Sequence, residues 1–567
     1  ALVMLPAVLL ITGLVHHKWG TALLFALSVA VGLTPELLPV VVTASLAKGA
    51  IDLSRAGVVV KQLDAVQALG AVTVLCIDKT GTLTDDHIVL DRWVNLQGEK
   101  SDEVLRLAWL NAKYQTGLHN ALDRAIVDHV GEQVPESFGK APEVLREIPF
   151  DFERRRVSLI VRDDLGKTLL ICKGAVEEVL AQCTAIRGPS LDGEAGGGDN
   201  LHAARRLASD MGEQGLRPVA IAVRELHGRD LPRDDEAEIS LTLVGLLAFL
   251  DPPRASAAPA LAALAGHGIR TIVLTGDAES IAATVCERVG IDPSRRLTGM
   301  QIDSLSDEEL SRELESIRLG ARLTPLHKER VVRVLRSSGA VVGFLGDGVN
   351  DAPALRAADV GLSGDAAVDV AREAADIVLL EKSLMVVDAG VLEGRAALCN
   401  MNRYLRMAAG SNFGNVLSVV VASAFLPFLP MQPLQLLMQN LLYDIAQAAL
   451  PFDRVEPKLV ERPSRWDASD LARFMLWFGP ISSIFDLLAF AVLFWVLDLN
   501  QPEYQAQFQS AWWLLGLATQ VLAVHLMRAP ELSWHEQRPA WVVSVTSVAV
   551  LAIGVWLVLG PLGAVMG

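Results

Sequence analysis

The chain has 567 residues, 51% hydrophobic and 20% charged, and that charged share lies below the quarter or so of ordinary soluble domains. Its net charge of −16, from 50 basic and 66 acidic residues, excludes a general nucleic-acid binder, because acidic surface repels phosphate backbones. Five cysteines without a CxxC pair exclude a disulfide framework and a cysteine zinc site. A membrane protein with a large water-soluble insert remains.

In chain order, apolar runs come first, at Leu2–Leu14 and Thr21–Ala47. After the insert, five more follow at Met407–Leu426, Leu434–Leu450, Phe474–Leu497, Ala511–Met527 and Trp541–Leu559. Each is near the ~20 residues that cross a bilayer, so about seven spans are expected. Basic residues cluster in two short loops: Arg454, Lys458, Arg462, Arg465 and Arg473 in one, Arg528 and Arg538 in the other. The loops Leu426–Pro433 and Asp498–Gln509 carry no Lys or Arg. Basic loops stay inside, so the insert is expected in the cytoplasm and the chain in the plasma (inner) membrane.

Within the insert, Ala71–Ile77 runs into Asp78, Ile269–Leu274 into Thr275-Gly276-Asp277, and Val341–Leu345 into Gly346-Asp347-Gly348. Buried-strand runs that each end in a carboxylate predict a parallel α/β sheet with its site at the carboxyl ends of the strands. Residues 91–245 interrupt that sheet with strands and helices of their own, including a glycine-rich loop at Gly188–Asn200. The expected plan is therefore membrane helices over 1–50, a sheet domain over 51–90 and 246–385, an inserted α+β domain over 91–245, and further membrane helices over 386–567.

Asp78-Lys79-Thr80-Gly81-Thr82-Leu83-Thr84 is the strongest chemical signal. A strand-end carboxylate before a tight glycine turn is a nucleophile that can form an acyl phosphate. Asp347 is placed to hold Mg²⁺ against phosphate oxygens, and Thr275 and Lys328 can donate to them. A lone strand-end Asp would read as a helix cap, but three such motifs together do not.

These motifs (DKTGTLT, TGD and GDGVNDAPAL) resemble those of the P-type ATPases, and the resemblance covers nearly the whole chain. It implies a haloacid-dehalogenase-like phosphorylation domain in which ATP phosphorylates Asp78. Mg²⁺ would lie between Asp78, the Thr80 carbonyl and Asp347, with Asp351 nearby. Thr275, Gly276, Asp277 and Lys328 would hold the phosphoryl group. Asn350 and Asp351 complete the hinge motif, and Asp251 marks the return of the insert. The insert resembles the family's nucleotide-binding domain: Lys173 and Gly174 match its KGA motif, Phe150 (or Phe152) the base-stacking aromatic, Asp123 an acid at the adenine edge, and Arg217 an arginine for the phosphates. An actuator domain with a Thr-Gly-Glu motif and a tenth span would be missing, so the resemblance implies a piece of a longer pump.

Thr34-Pro35-Glu36-Leu37-Leu38-Pro39 lies within the second apolar run. Two prolines four apart free helix carbonyls beside an acid that is costly in lipid, the makings of a cation site. Asn412 and Asn415, then Asn440 and Asp444, stand at helical spacing in later spans. These oxygen-only ligands suit a hard divalent cation and argue against copper or zinc. Their sequence context resembles the bacterial magnesium-importing branch, which implies ATP-driven Mg²⁺ import. Asp486 reads equally as a second polar site or a packing residue. The alternatives are a pump for another cation such as Ca²⁺, a membrane-anchored phosphatase, and an inactive fragment.

Overall fold

The computed structural model describes residues 4–17, 19–32, 37–85, 87–116, 120–131, 135, 138, 141–151, 154–163, 166–187, 197–227, 231–381, 383–463, 468–528, 538–561 and 563. The strand Val74–Asp78 lies between Arg270–Leu274 and Val342–Leu345 in an eight-stranded sheet. Outward on one side come Leu319–Ala321 and Arg296–Thr298, and on the other Val360–Gly364, Ile377–Leu379 and Val58–Val60. Every pairing is parallel except that of the edge strand Val58–Val60. Helices cover both faces, so successive residues of the central strand enter opposite cores. Leu75 and Ile77 pack with Val273 and Leu345, while Val74 and Cys76 pack with Ile272 and Phe344. That two-sided burial is why the strands read as continuous apolar runs in the sequence.

Register then aligns the strand ends. Leu274 pairs with Asp78, and Leu345 with Ile77. The loops that begin at Thr275 and Gly346 therefore open on either side of Asp78.

A second sheet of seven strands, all from residues 89 to 250, interrupts the first in sequence. Its order is Val89–Val94, Leu241–Leu250, Arg217–Leu226, Thr168–Gly174, Arg156–Arg162 and Glu143–Ile148, with Cys183–Ile186 parallel to Leu241–Leu250. The other pairings are antiparallel. Exit and return of the chain are stitched together: Thr84 bridges Pro253, and Asp85 N donates to Pro252 O at 2.9 Å.

Four described helices are long and apolar enough to cross a membrane: Leu384–Phe425, Ser469–Val496, Pro502–Met527 and Trp541–Leu559. Seven apolar runs produced the expectation of about seven spans. Met4–His16, Trp19–Gly32 and Pro433–Gln447 form helices of 13, 14 and 15 residues. The run Thr21–Ala47 is divided between Trp19–Gly32 and Leu38–Arg55, with Pro39 in the first turn of the second helix. There its missing N–H costs no helical hydrogen bond.

Leu384–Phe425 joins the two regions as one helix of 42 residues, about 60 Å long at the usual rise. Its first turns (Leu384, Val387, Val391) pack in the core under the parallel sheet. Its last turns (Val416, Val419, Ala422) pack among the apolar helices. Near the sheet it crosses Asp64–Ala71 backbone against backbone. A Cβ on Gly70 would come 2.4 Å from the Gly394 carbonyl carbon, and one on Gly394 would come 2.8 Å from Gly70 N. Neither obstacle is a side chain that can swing away. Gly70→Ala is expected to lower stability by about 2–3 kcal/mol through overpacking, read as a lower Tm of the detergent-solubilised protein; an unchanged Tm would show that the two helices separate freely.

Candidate functional site

Asp78 ends its strand with the carboxylate facing Lys328 from the helix Pro325–Ser337. Lys328 Nζ lies 2.8 Å from Asp78 Oδ1 and 2.8 Å from Asp351 Oδ1. Thr324 caps that helix and Pro325 opens it, which sets where Lys328 leaves the first turn. Burial pushes the Asp78 carboxyl up to about 6; Lys328 opposes that rise and Asp351 adds to it. Burial likewise works against the charge on Lys328, but the two carboxylates outweigh it and hold its pKa above the usual lysine value. The result is a largely buried carboxyl group held against a fixed ammonium.

The loop after Val342–Leu345 supplies the neighbouring carboxylates. Asp347 Oδ1 accepts from Gly364 N at 2.7 Å. Asp351 Oδ2 accepts from Gly348 N at 3.0 Å. A Cβ on Gly346 would lie 2.6 Å from Asp351 Cγ, so only glycine lets the loop fold over that carboxylate. Asn350 is exposed beside it. From the other flank, Thr275 is buried; its hydroxyl accepts from Asp277 N at 3.2 Å, and its backbone is held by Gly320 and Leu323. Gly276 and Thr80 are exposed at the mouth.

A cleft lined by Gly81, Thr82, Asp347 and Gly364 opens between these loops. Thr82 Oγ1 is buried there without a hydrogen-bond partner among the described residues. Carboxylate, hydroxyl and carbonyl oxygens fit a hard cation such as Mg²⁺. Among the described residues no group of three or more His, Cys, Asp or Glu side chains forms a metal cage. An ion here would therefore complete its shell with backbone, water or phosphate oxygens.

Two residues of this site escaped the sequence reading. Lys79 is fully buried and pairs with Asp251 Oδ2 at 2.9 Å and with Asp277. Burial disfavours its charge, yet Asp277 and Asp251 raise its pKa above the usual value. Arg254 donates to Gly81 O and Thr84 O, both at 3.1 Å. Asp251 and Arg254 belong to one motif, and both serve the turn after Asp78 from 172 and about 170 residues away. The only signal was that motif itself; nothing local in the sequence pairs Lys79 with it.

On the second sheet, Arg156 pairs with Gly174 and Gly174 with Ala220. Gly174, Arg217 and Phe150 thus gather at one sheet end, Phe150 two residues past the strand end Ile148. Phe150 and Arg217 are exposed. A Cβ on Gly174 would meet Arg155 O at 2.6 Å. Lys173 points instead under the helix Ala121–Val130, buried and paired with the buried Asp123. Burial lowers the Lys173 pKa despite that partner. Phe152 lies outside the described residues, as does most of the loop Gly188–Asn200.

In the apolar region, Asn412 and Asp444 are buried, on Leu384–Phe425 and Pro433–Gln447 respectively. Asn415 and Asn440 are half-buried on the same helices, and Asn415 Nδ2 has no hydrogen-bond partner among the described residues. A chain of amides links the two helices: Gln439 Nε2 donates to Gln520 Oε1 at 3.2 Å, and Gln520 Nε2 to Ser411 Oγ at 3.3 Å. Ser418 Oγ donates to Asp486 at 2.9 Å. Glu36 lies outside the described residues.

Residues 111–256 match the family profile described as P-type ATPase, cytoplasmic domain N, and residues 428–567 that described as Cation transporting ATPase, C-terminus. Over 565 residues the chain is 51% identical to Magnesium-transporting ATPase, P-type 1 of Escherichia coli strain K12, covering 99% of this chain and 62% of that protein. Its identity to the protein of the same name from Salmonella typhimurium strain LT2 is 52% over 568 residues, with the same coverage of 99% and 62%. Calcium-transporting ATPase of Bacillus subtilis strain 168 is 29% identical over 558 residues, covering 89% of this chain and 61% of that protein. The chain thus spans about three-fifths of the length of these relatives.

Replacing Lys79 with Met would leave Asp251 and Asp277 facing each other across a buried gap. Removing one member of a buried ion pair costs roughly 3–5 kcal/mol. Lys79→Met is therefore expected to give little folded protein, whereas Arg55→Met, at an exposed pair with Asp52, changes stability by under about 1 kcal/mol. Equal Tm values for the two variants would refute the ranking.

Proposed function

We propose that the chain is part of a P-type cation ATPase, and that the intact protein uses ATP, through an aspartyl phosphate on Asp78, to move a divalent cation, Mg²⁺, into the cytoplasm. One observation carries the chemical half: the Asp78 carboxylate stands at the shared end of three parallel strands, 2.8 Å from Lys328 and flanked by the Asp347 loop. We assign 51–90 and 246–385 to the phosphorylation domain, 91–245 to the nucleotide-binding domain, and 1–50 and 386–567 to seven spans of the plasma (inner) membrane. The basic loops at Arg454–Arg473 and Arg528–Arg538 support a cytoplasmic position for both sheets.

In this reading ATP rests its base on Phe150, with Gly174 leaving room for it and Arg217 reaching the phosphates. An Asp78 carboxylate oxygen attacks the γ-phosphorus, the bond to the β,γ-bridging oxygen breaks, and ADP leaves. Lys328 holds the attacking carboxylate in place and balances charge on the phosphoryl oxygens, with Thr275, Gly276 and Asp277 lining the opposite wall. Asp351 acts by fixing Lys328, and Asn350 stands exposed beside it. Asp78, Asp347 and the Thr80 carbonyl would hold the Mg²⁺ that accompanies ATP, whose contribution is to neutralise phosphate charge.

The transported ion would sit between Glu36, Asn412, Asn415, Asn440 and Asp444. Oxygen-only donors with two carboxylates suit one Mg²⁺ that keeps part of its water. The higher identity to proteins named as magnesium transporters than to one named as a calcium transporter favours Mg²⁺ over Ca²⁺. A phosphatase on a membrane anchor would have no use for Asn412 and Asp444 buried among apolar helices.

Two experiments test this reading. Asp78→Asn is expected to abolish the acid-stable, hydroxylamine-sensitive label formed from γ-labelled ATP; persistent label would place the phosphate elsewhere. Asp444→Asn in the intact gene should fail to restore growth of a magnesium-transport-deficient bacterium at low Mg²⁺ while nucleotide binding is retained. Full growth with Asp444→Asn combined with Glu36→Gln would remove these residues from the transport site.

A further inference from the structure

Glu238 has no place in the chemistry above, yet its carboxylate is almost wholly buried in the nucleotide-binding region. It follows the short helix Asp234–Ala237 and precedes the strand Leu241–Leu250. Three donors converge on it. Ser158 Oγ reaches Oε1 at 2.8 Å, Arg156 Nε reaches Oε2 at 2.8 Å, and Arg154 Nη1 reaches Oε2 at 2.6 Å.

Arg154 does not stop at that carboxylate. Its Nη2 donates to Pro149 O at 2.9 Å, the carbonyl just before Phe150. The turn is closed at the same point by Arg154 N to Asp151 Oδ1 at 3.0 Å and Arg155 N to Asp151 O at 2.7 Å. Arg155 pays for this closure with a φ of +47°, a conformation that non-glycine residues adopt only when neighbours impose it. Its carbonyl is in turn taken by Ala175 N at 3.0 Å, next to Gly174. The turn that carries Phe150 is thus fastened at one end to Gly174-Ala175 and at the other, through a forked guanidinium, to Glu238.

We propose that Glu238 is a positioning residue for the nucleotide: through Arg154 it holds the Phe150 turn at the height from which the ring meets the base. This rests on the assignment of Phe150 as the base platform. A charged acceptor is needed because one carboxylate must satisfy two guanidinium groups and a hydroxyl at once, which a neutral amide oxygen cannot do with equal strength. A guanidinium is needed because a lysine has no planar fork to span Glu238 and Pro149 together.

The test measures ATP affinity of the intact protein by displacement of a fluorescent ATP analogue, alongside Tm and phosphoenzyme level at saturating ATP. Arg154→Met leaves Glu238 with Arg156 and Ser158, and the Arg154 side chain is about one-third exposed, so the fold is expected to hold. It should weaken ATP about 5-fold, in line with losing charge-assisted hydrogen bonds that only position the contact. Saturating ATP should restore the full phosphoenzyme level. Arg154→Lys should not restore affinity. Glu238→Gln should weaken ATP by a similar factor, and the double variant Arg154→Met with Glu238→Gln by no more than the larger single effect. Phe150→Ala is the control for the underlying assignment. If Phe150→Ala weakens ATP while Arg154→Met leaves affinity unchanged, the clamp is refuted and the platform stands. If Phe150→Ala itself leaves affinity unchanged, both are refuted.

Discussion

One ammonium group organises the carboxyl ends of the parallel strands. Lys328 Nζ stands 2.8 Å from both Asp78 and Asp351, and without it two buried carboxylates would face each other across the cleft. Their repulsion in a low-dielectric site would force one of them to take a proton. The parallel sheet brings these three groups together. Its register places the loops from three strands at one level, and its two apolar cores are packed on that register, with Leu75 and Ile77 in one and Val74 and Cys76 in the other.

A second buried ammonium repeats the device one residue further on. Lys79 draws Asp277 from the neighbouring loop and Asp251 from the point where the inserted domain returns. Arg254 then ties the same return segment to Gly81 and Thr84. The turn after Asp78 is therefore braced by the segment where the inserted domain returns to the sheet. On the other side, the helix Leu384–Phe425 carries contact from the sheet core to the buried Asn412, and the Gly70–Gly394 crossing keeps that contact at backbone distance.

Buried polar groups mark where each region does its work. In the inserted domain, Glu238 and its two arginines sit beneath the turn bearing Phe150, and Lys173 with Asp123 sits on the opposite face of the sheet. The latter pair, matched by resemblance to the KGA motif and to an acid at the adenine edge, is buried, with Lys173 Nζ directed at Asp123. Among the apolar helices, Gln439, Gln520 and Ser411 form a hydrogen-bonded chain beside Asn412 and Asn440. Amides buried in an apolar bundle are expensive unless paired, and Asn415 Nδ2 lacks such a partner among the described residues.

Local pattern alone determined a good part of this protein. Apolar runs ending in Asp78, Thr275 and Gly346 could only be buried parallel strands with their loops at one end, because two-sided burial writes itself into consecutive residues. Helical spacing put Asn440 and Asp444 on one face for the same reason. The polar partnerships were decided by tertiary structure. Lys79 meets Asp251 across 172 residues and Arg154 meets Glu238 across 84. The spacing between such partners carries no period, so the sequence leaves no trace of which acid each cation will find. An apolar run records only that residues avoid water; how it is divided into helices is set by the fold, as where the run Thr21–Ala47 is shared between Trp19–Gly32 and Leu38–Arg55.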